Sequence, residues 1–464
     1  MTMKPVVLFL LFLLGISFSS CDLFFSEELL SSEPQEDYYN NEDDSDSIKL
    51  NSVLKEYSKE TAVKDDTASS LDPSSLHPVV LLPGLAVSNI YAKLNRTSKK
   101  HWWCRLQSDW YQIWLTPGEL LPGAVDCFKD NFRREVDKET GFTRNVNGVE
   151  TNVPDFGNTT FDYLFFKLKL ATYYAPLVDS LVEIGYKRGL SVRGAPFDLR
   201  MSPYEMEEYF QSLKELIEKI YQENNNKRTV IIGHSAGAAY SLFFLRKMTK
   251  EWKDKYIKSL ITLGAPFGGA IQGLTAVTLG SAEGINVFKD DVLKELVRTF
   301  SSMTFYLPDE RVFGDQVILS IKSKNDWKNL TAKEMPSVFR LFNYTEEIMW
   351  RRSRESIRDN HYYDKDPGVD DVTCFVGTGL KTPQEISFNN GFSEKPKIVY
   401  GPGDGTVNSV CNQVCKNWMN KRSKGTSLYK EFEKVGHIDL VRNKEVVKSI
   451  VERIQDFNKN DNLN

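Results

Sequence analysis

TVIIGHSAGAAY, residues 229–240, decides how the rest of the chain is read. Val230, Ile231 and Ile232 are β-branched and form an apolar run. Gly233-His234-Ser235-Ala236-Gly237 then makes a Gly-x-Ser-x-Gly turn, and Leu242, Phe243, Phe244, Leu245 and Met248 continue at helical spacing. The pattern is strand, sharp turn, helix. A turn this tight presents a serine hydroxyl at the end of a strand and demands small neighbours, which Gly233, Ala236 and Gly237 supply. Five-residue matches are common, and a buried serine in an ordinary turn fits the same letters. The partners of Ser235 must decide.

A hydroxyl near neutral pH needs a base to take its proton and an acid to orient that base. In an α/β arrangement with this turn the order along the chain is Ser, acid, His. There are five histidines. His77 and His101 precede Ser235, and His234 lies within the turn. His361 sits in the polar run Arg358-Asp359-Asn360, which suits a solvated surface. His437 follows the alternating run Leu428–Phe432 and Val435-Gly436, where a base at the end of a late strand is expected. Many carboxylates lie between Ser235 and His437, so spacing alone does not choose. Asp404 stands out because it directly follows the strand-like Ile398-Val399-Tyr400 in Gly-Pro-Gly-Asp-Gly-Thr. Ala236, the residue after the serine, supplies one oxyanion N–H, and the loop Pro83-Gly84-Leu85-Ala86 supplies the other.

The remaining chain fits a mostly parallel α/β sheet. Val79–Leu82, Leu260–Leu263, Val372–Val376 and Lys397–Tyr400 read as strands separated by helices. Ser202-Pro203-Tyr204-Glu205 reads as a capping box opening a helix that ends at Asn224–Asn226. Residues 268–363 read as irregular insertions. The chain is 464 residues long and 41% hydrophobic, enough for one large domain, expected over 76–460. A net charge of −4 gives no reason to expect a nucleic-acid partner.

Residues 1–21 read as a signal peptide, with Lys4, the apolar run Val6–Phe18 and small Ser19-Ser20. Residues 22–75 are acidic and Ser/Asn-rich, as in a disordered pro-segment. Asn95, Asn158, Asn329 and Asn343 head Asn-x-Ser/Thr tripeptides. With Cys104, Cys127, Cys374, Cys411 and Cys415, they point to the oxidising secretory route, secreted or to a lysosome-like lumen. No metal or other cofactor is expected for this chemistry.

Taken together these stretches resemble the lecithin–cholesterol acyltransferase and lysosomal phospholipase A family, an α/β-hydrolase family. VVLLPGLAVSNIYAKL, YQIWL, VDCFKDN, VRGAPFDLR, IIGHSAG, WKDKYI, LGAPFGG and GDGTVN occur in the family's order from Val79 onward. The resemblance implies Ser235 as nucleophile, Asp404 as acid, His437 as base, and Leu85 and Ala236 as oxyanion donors. It implies bridges Cys104–Cys127 and Cys374–Cys415, with Cys411 left over. It implies a membrane-binding subdomain at about 95–135, where Trp102, Trp103, Trp110 and Trp114 cluster, and a lid at about 268–300 whose glycines permit motion. The expected activity is phospholipase A chemistry through an acyl-enzyme at a phospholipid membrane or lipoprotein surface, with water or a lipid alcohol as acceptor. A phospholipid–sterol acyltransferase and a catalytically inactive lipid-binding protein are the alternatives. The early loop departs from the family's Pro-Gly-x-Leu-Gly-Asn, since Gly84 is followed by Leu85-Ala86-Val87-Ser88. An acidic residue stands at the Leu85 position in the lysosomal branch, so an acidic pH optimum is not implied.

Overall fold

The computed structural model describes residues 76–460, except 115, 122, 160–172, 282–289 and 324–325. The expected signal peptide and acidic segment lie outside the described residues. The centre is a six-stranded sheet of β1 (Val79–Leu82), β2 (Val192–Gly194), β3 (Thr229–His234), β4 (Ile257–Leu263), β5 (Asp371–Thr378) and β6 (Thr426–Glu433), in the order β6-β5-β4-β3-β1-β2. Every pairing in it is parallel. Parallel pairing forces each connection to cross a face of the sheet, so both faces are covered and the central strands are continuously apolar.

Side chains alternate between the two faces with the strand period of two. Val80, Leu82 and Ile231 enter one core with Phe210, Leu213, Ile217 and Ile220 of helix Glu207–Glu223. Val79, Leu81, Val230 and Ile232 enter the other with Leu177, Val178 and Leu181 of Ala175–Glu183 and Val446, Ile450 and Ile454 of Lys444–Asn460. Each fully buried aliphatic side chain of this kind contributes about 1.5–3 kcal/mol. Helix Glu207–Glu223 stops where Asn224 turns its amide back to the Ile220 carbonyl at 2.8 Å, and Asn225 and Asn226 take left-handed backbone.

Three expectations change. Lys397–Gly403 is a strand, but it pairs antiparallel with Leu380–Phe392 in a separate four-stranded sheet. Its exposed, alternating side chains suit one covered face and not the doubly buried centre. Ser202 makes no side-chain cap, and Glu205 does not fold back on it. The half-buried Glu205 carboxylate instead accepts from Ser301 Oγ and the Thr143 backbone N–H. Residues 268–363 contain helices and two paired strands rather than irregular chain. Among the described residues of the expected lid, Ile271, Leu274 and Val277 of helix Ile271–Leu279 and Leu293 and Leu296 of Asp290–Val297 are core side chains. The stretch 282–289 between those helices lies outside the described residues.

Candidate active site

Because β1, β3, β5 and β6 run the same way, the loops after them emerge along one edge of the sheet. At that edge β3 ends on His234 and helix Ala236–Lys247 starts one residue later. Ser235 between them has φ 54° and ψ −121°. A non-glycine residue in that region costs about 1–3 kcal/mol and survives only where its surroundings over-determine it. They do so here. Ser235 N–H donates to the Leu263 carbonyl of β4 at 2.8 Å. The first turn of the helix packs directly on β1, so a methyl group at Gly237 would come within 2.2 Å of the Leu82 carbonyl oxygen. Ser235 is the one partly exposed residue in Ile231–Tyr240. Strand and helix are buried around a hydroxyl that is not.

The expected acid and base, Asp404 and His437, arrive from two other elements. Strand Lys397–Gly403 delivers Asp404 to the end of β5, where a methyl group at Gly377 would lie 2.9 Å from Asp404 Cβ. Sequence reading overlooked Gly377, because its need for a bare Cα is created by segments far along the chain, the Val435 carbonyl at 2.2 Å from such a methyl group as well as Asp404. Asp404 Oδ1 accepts the backbone N–H groups of Thr406 at 3.0 Å and Val407 at 2.7 Å. Asp404 Oδ2 accepts from His437 Nδ1 at 2.8 Å, and the His437 backbone N–H donates to the Asp404 carbonyl at 2.9 Å. Asp404 and His437 are 3% and 8% exposed. A carboxylate on Nδ1 leaves Nε2 as the nitrogen free to accept a proton. Among the described residues neither Ser235 Oγ nor His437 Nε2 makes a hydrogen bond. His361, the other histidine in range, is exposed, and its ring lies 4.0 Å from the Asp364 carboxylate.

Backbone donors flank the serine. Ala236 is the first residue of its helix, so its N–H has no intrahelical acceptor. In the loop after β1, the Gly84 N–H is engaged by Tyr173 Oη at 2.8 Å, whereas the Leu85 N–H has no acceptor among the described residues. Ala86 takes φ 69°, and its carbonyl accepts the Trp114 indole N–H at 3.0 Å. Val87 packs against a core beneath the sheet, which accommodates its larger side chain.

Trp114 therefore departs from the membrane-facing expectation. It is 6% exposed and stacks on Phe132 at 5.4 Å between ring centroids, because the end of strand Gln107–Trp114, with Ile113 also buried, runs into the core. Trp102, Trp103 and Trp110 point outward, 81%, 49% and 43% exposed, and Leu121 in the same expected subdomain is exposed too. The disulfide Cys104–Cys127 ties that subdomain together, Cys374–Cys415 ties β5 to helix Asn412–Lys421, and Cys411 is a buried free thiol. Asn95, Asn158, Asn329 and Asn343 are all exposed. Among the described residues no helix is long and apolar enough to cross a membrane, and no His/Cys/Asp/Glu cluster could hold a metal ion.

The same edge-of-sheet architecture occurs in known proteins. A chain of the solved Tle4–Tli4 complex superposes with a TM-score of 0.50 at 10% identity, covering 82% of this chain and 98% of that one, a likeness of fold. The human lysosomal phospholipase A and acyltransferase is 33% identical over 376 residues, 80% of this chain and 89% of that protein. The phosphatidylcholine-sterol acyltransferase of Gallus gallus is 33% identical over 373 residues, 79% of this chain and 88% of that protein. The lecithin:cholesterol acyltransferase family model matches residues 110–345, which include the strained serine turn. The chain belongs to the lecithin:cholesterol acyltransferase family, on an α/β-hydrolase fold.

Proposed function

We propose that this protein is a serine-dependent phospholipase A that cleaves an acyl ester of a glycerophospholipid through an acyl-enzyme. One observation carries the reading. A strained, half-exposed Ser235 shares a sheet edge with a buried Asp404–His437 pair and with two unengaged backbone N–H groups. Ser235 Oγ attacks the acyl carbonyl carbon while His437 Nε2 takes its proton. The Asp404 carboxylate stabilises the imidazolium, and the Leu85 and Ala236 N–H groups receive the oxyanion. Collapse returns the proton to the departing lysophospholipid oxygen. Water, deprotonated by His437, then releases the fatty acid and restores Ser235.

A lipid alcohol in place of that water would yield an acyl ester. This second reading is favoured by the relatives, whose names include acyltransferase. The two outcomes differ tenfold for about 1.4 kcal/mol of barrier. Trp102, Trp103 and Trp110 support docking on a phospholipid surface, since indole suits the membrane–water boundary. Two disulfides and four exposed asparagines heading glycosylation tripeptides support a secretory-pathway location, secreted or lysosome-like.

The test is mass spectrometry of products from phosphatidylcholine vesicles, with and without sterol, for wild type and Ser235→Ala. Fatty acid and lysolipid that vanish in the variant support the phospholipase. Acyl esters of the added sterol shift the assignment to the acyltransferase. Equal turnover by both proteins removes Ser235 from the chemistry.

A further inference from the structure

Beneath the serine turn a buried hydrogen-bond chain crosses from the oxyanion loop to the base. The Gly84 N–H donates to Tyr173 Oη at 2.8 Å. The Tyr173 hydroxyl donates to His234 Nδ1, and His234 Nε2–H donates to the backbone carbonyl of His437 at 2.9 Å. Tyr173 is 1% exposed and His234 2%.

The donor and acceptor inventory assigns every proton in this chain. An amide N–H only donates, so the Tyr173 oxygen receives it and sends its own hydrogen onward. A carbonyl only accepts, so His234 carries a hydrogen on Nε2, and only a bare Nδ1 gives the Tyr173 hydrogen an acceptor. His234 is therefore neutral. Burial pushes its pKa well below the ordinary histidine range, with the neighbouring His437 as a second cause. Burial raises the Tyr173 hydroxyl pKa far above neutrality. Both groups keep their hydrogen-bonding roles throughout a catalytic cycle in which His437 gains and loses a proton.

We infer that Tyr173 and His234 are positioning residues, which hold the Leu85 amide and the His437 imidazole in register with Ser235. The inference rests on the phospholipase reading. Neither side chain faces the open edge where a substrate would lie. Tyr173 anchors the residue immediately before Leu85, and so constrains the peptide that carries the oxyanion donor. His234 anchors the base through the backbone carbonyl of His437. His437 is then held at three points, its N–H and Nδ1 by Asp404 and its carbonyl by His234. The His234 and His437 rings lie 4.8 Å apart between centroids, so a loosened chain frees the base directly.

The test uses the full chain as wild type, Tyr173→Phe, His234→Asn, His234→Gln and Ser235→Ala. Asn keeps an acceptor near the Nδ1 position and loses the donor to His437, whereas Gln keeps an N–H near the Nε2 position. Hydrolysis of the soluble ester 4-nitrophenyl butyrate reports kcat and KM, and thermal melts report folding. Tyr173→Phe and His234→Asn are expected to lower kcat about 10–100-fold, the scale of a small misplacement of reacting groups. KM should stay within about 2-fold, and His234→Gln should recover part of the Asn loss. Full kcat in Tyr173→Phe, or a loss carried entirely by KM, overturns the inference.

Equal hydrolysis by wild type and Ser235→Ala would instead sink the phospholipase reading. The hydrogen-bond chain is then judged separately, by ¹⁵N NMR of the wild-type histidines, which also decides if a variant fails to fold. An Nε2–H tautomer at His234 supports the chain, and an Nδ1–H tautomer or a cation overturns it.

Discussion

Replacing Asp404 by Asn tests the proposed site most sharply, because the structure dictates how the new amide must sit. In the native protein Oδ1 receives the Thr406 and Val407 N–H groups, and Oδ2 receives His437 Nδ1. The asparagine oxygen must stay on the backbone donors, since the flipped amide would set N–H against N–H twice. Its NH₂ then points at His437 and can only donate. His437 must accept on Nδ1 and carry its proton on Nε2, the nitrogen meant to deprotonate Ser235. Recovering the productive tautomer means losing a hydrogen bond to a charged group, about 1.5–3 kcal/mol, and facing two donors together at about 1–3 kcal/mol more. The sum is a fall in kcat of about 10²–10⁴-fold, with the upper end matching what is known of such triads. Stability should change little, because both backbone donors remain satisfied. Asp404→Ala strands them and should cost about 2–4 kcal/mol. The assay is fatty-acid release from phosphatidylcholine vesicles, with the rate of fluorophosphonate labelling at Ser235 measured alongside. A kcat for Asp404→Asn within about 10-fold of wild type, with an unchanged melting temperature, would refute the tautomer argument.

Ser235→Gly relieves the backbone strain at φ 54° that Ser235→Ala retains, so it should unfold at about 1 kcal/mol higher free energy than Ser235→Ala; equal denaturant midpoints would show the turn to be unstrained. Trp102→Ser should weaken partition into phosphatidylcholine vesicles about 10-fold, seen as a larger fall in vesicle hydrolysis than in hydrolysis of a dissolved ester; unchanged flotation with liposomes would speak for another docking face. The Cys411 thiol, pushed far above its usual pKa by burial and secondarily by Asp404, should resist iodoacetamide in the native protein and react after unfolding; peptide mapping checks this, and rapid native labelling would contradict the packed environment. Cys104→Ala with Cys127→Ala opens a loop of 23 residues. That should cost about 3 kcal/mol in the chain-entropy model, read from urea denaturation.

Much of the site was legible in the sequence because its signals are local. The run Val230–Ile232, the small residues around Ser235 and the apolar periodicity after it come from steric rules acting within a few residues. So did the helix ending at Asn224 and the parallel sheet, which follow from apolar runs of strand length alternating with helical ones. His437 could be reached because few histidines compete with it. The weak points were non-local. Trp114 and Trp102 share a residue type and a neighbourhood, yet packing of a strand end on a distant helix buries one against Phe128 and Phe132 and leaves the other, in a turn, 81% exposed. Glu205 carried the letters of a capping box, but Ser301 and Thr143 compete for its carboxylate from distant segments. Lys397–Gly403 had strand letters, and only its pairing with Leu380–Phe392 put it outside the central sheet.

The order Ser235, Asp404, His437 and the side-chain chemistry of each belong to the chain as written, since side-chain chemistry and turn sterics do not depend on distant contacts. Tyr173, Gly377 and the second role of His234 do depend on them. Nothing near Tyr173 in sequence marks it as a partner of Gly84, and His234 read only as a bystander in the turn. Folding brings residues 84, 173, 234 and 437 together at the ends of parallel strands, where burial removes water as a competing partner. There each polar group must find a protein partner, and that requirement selects the network.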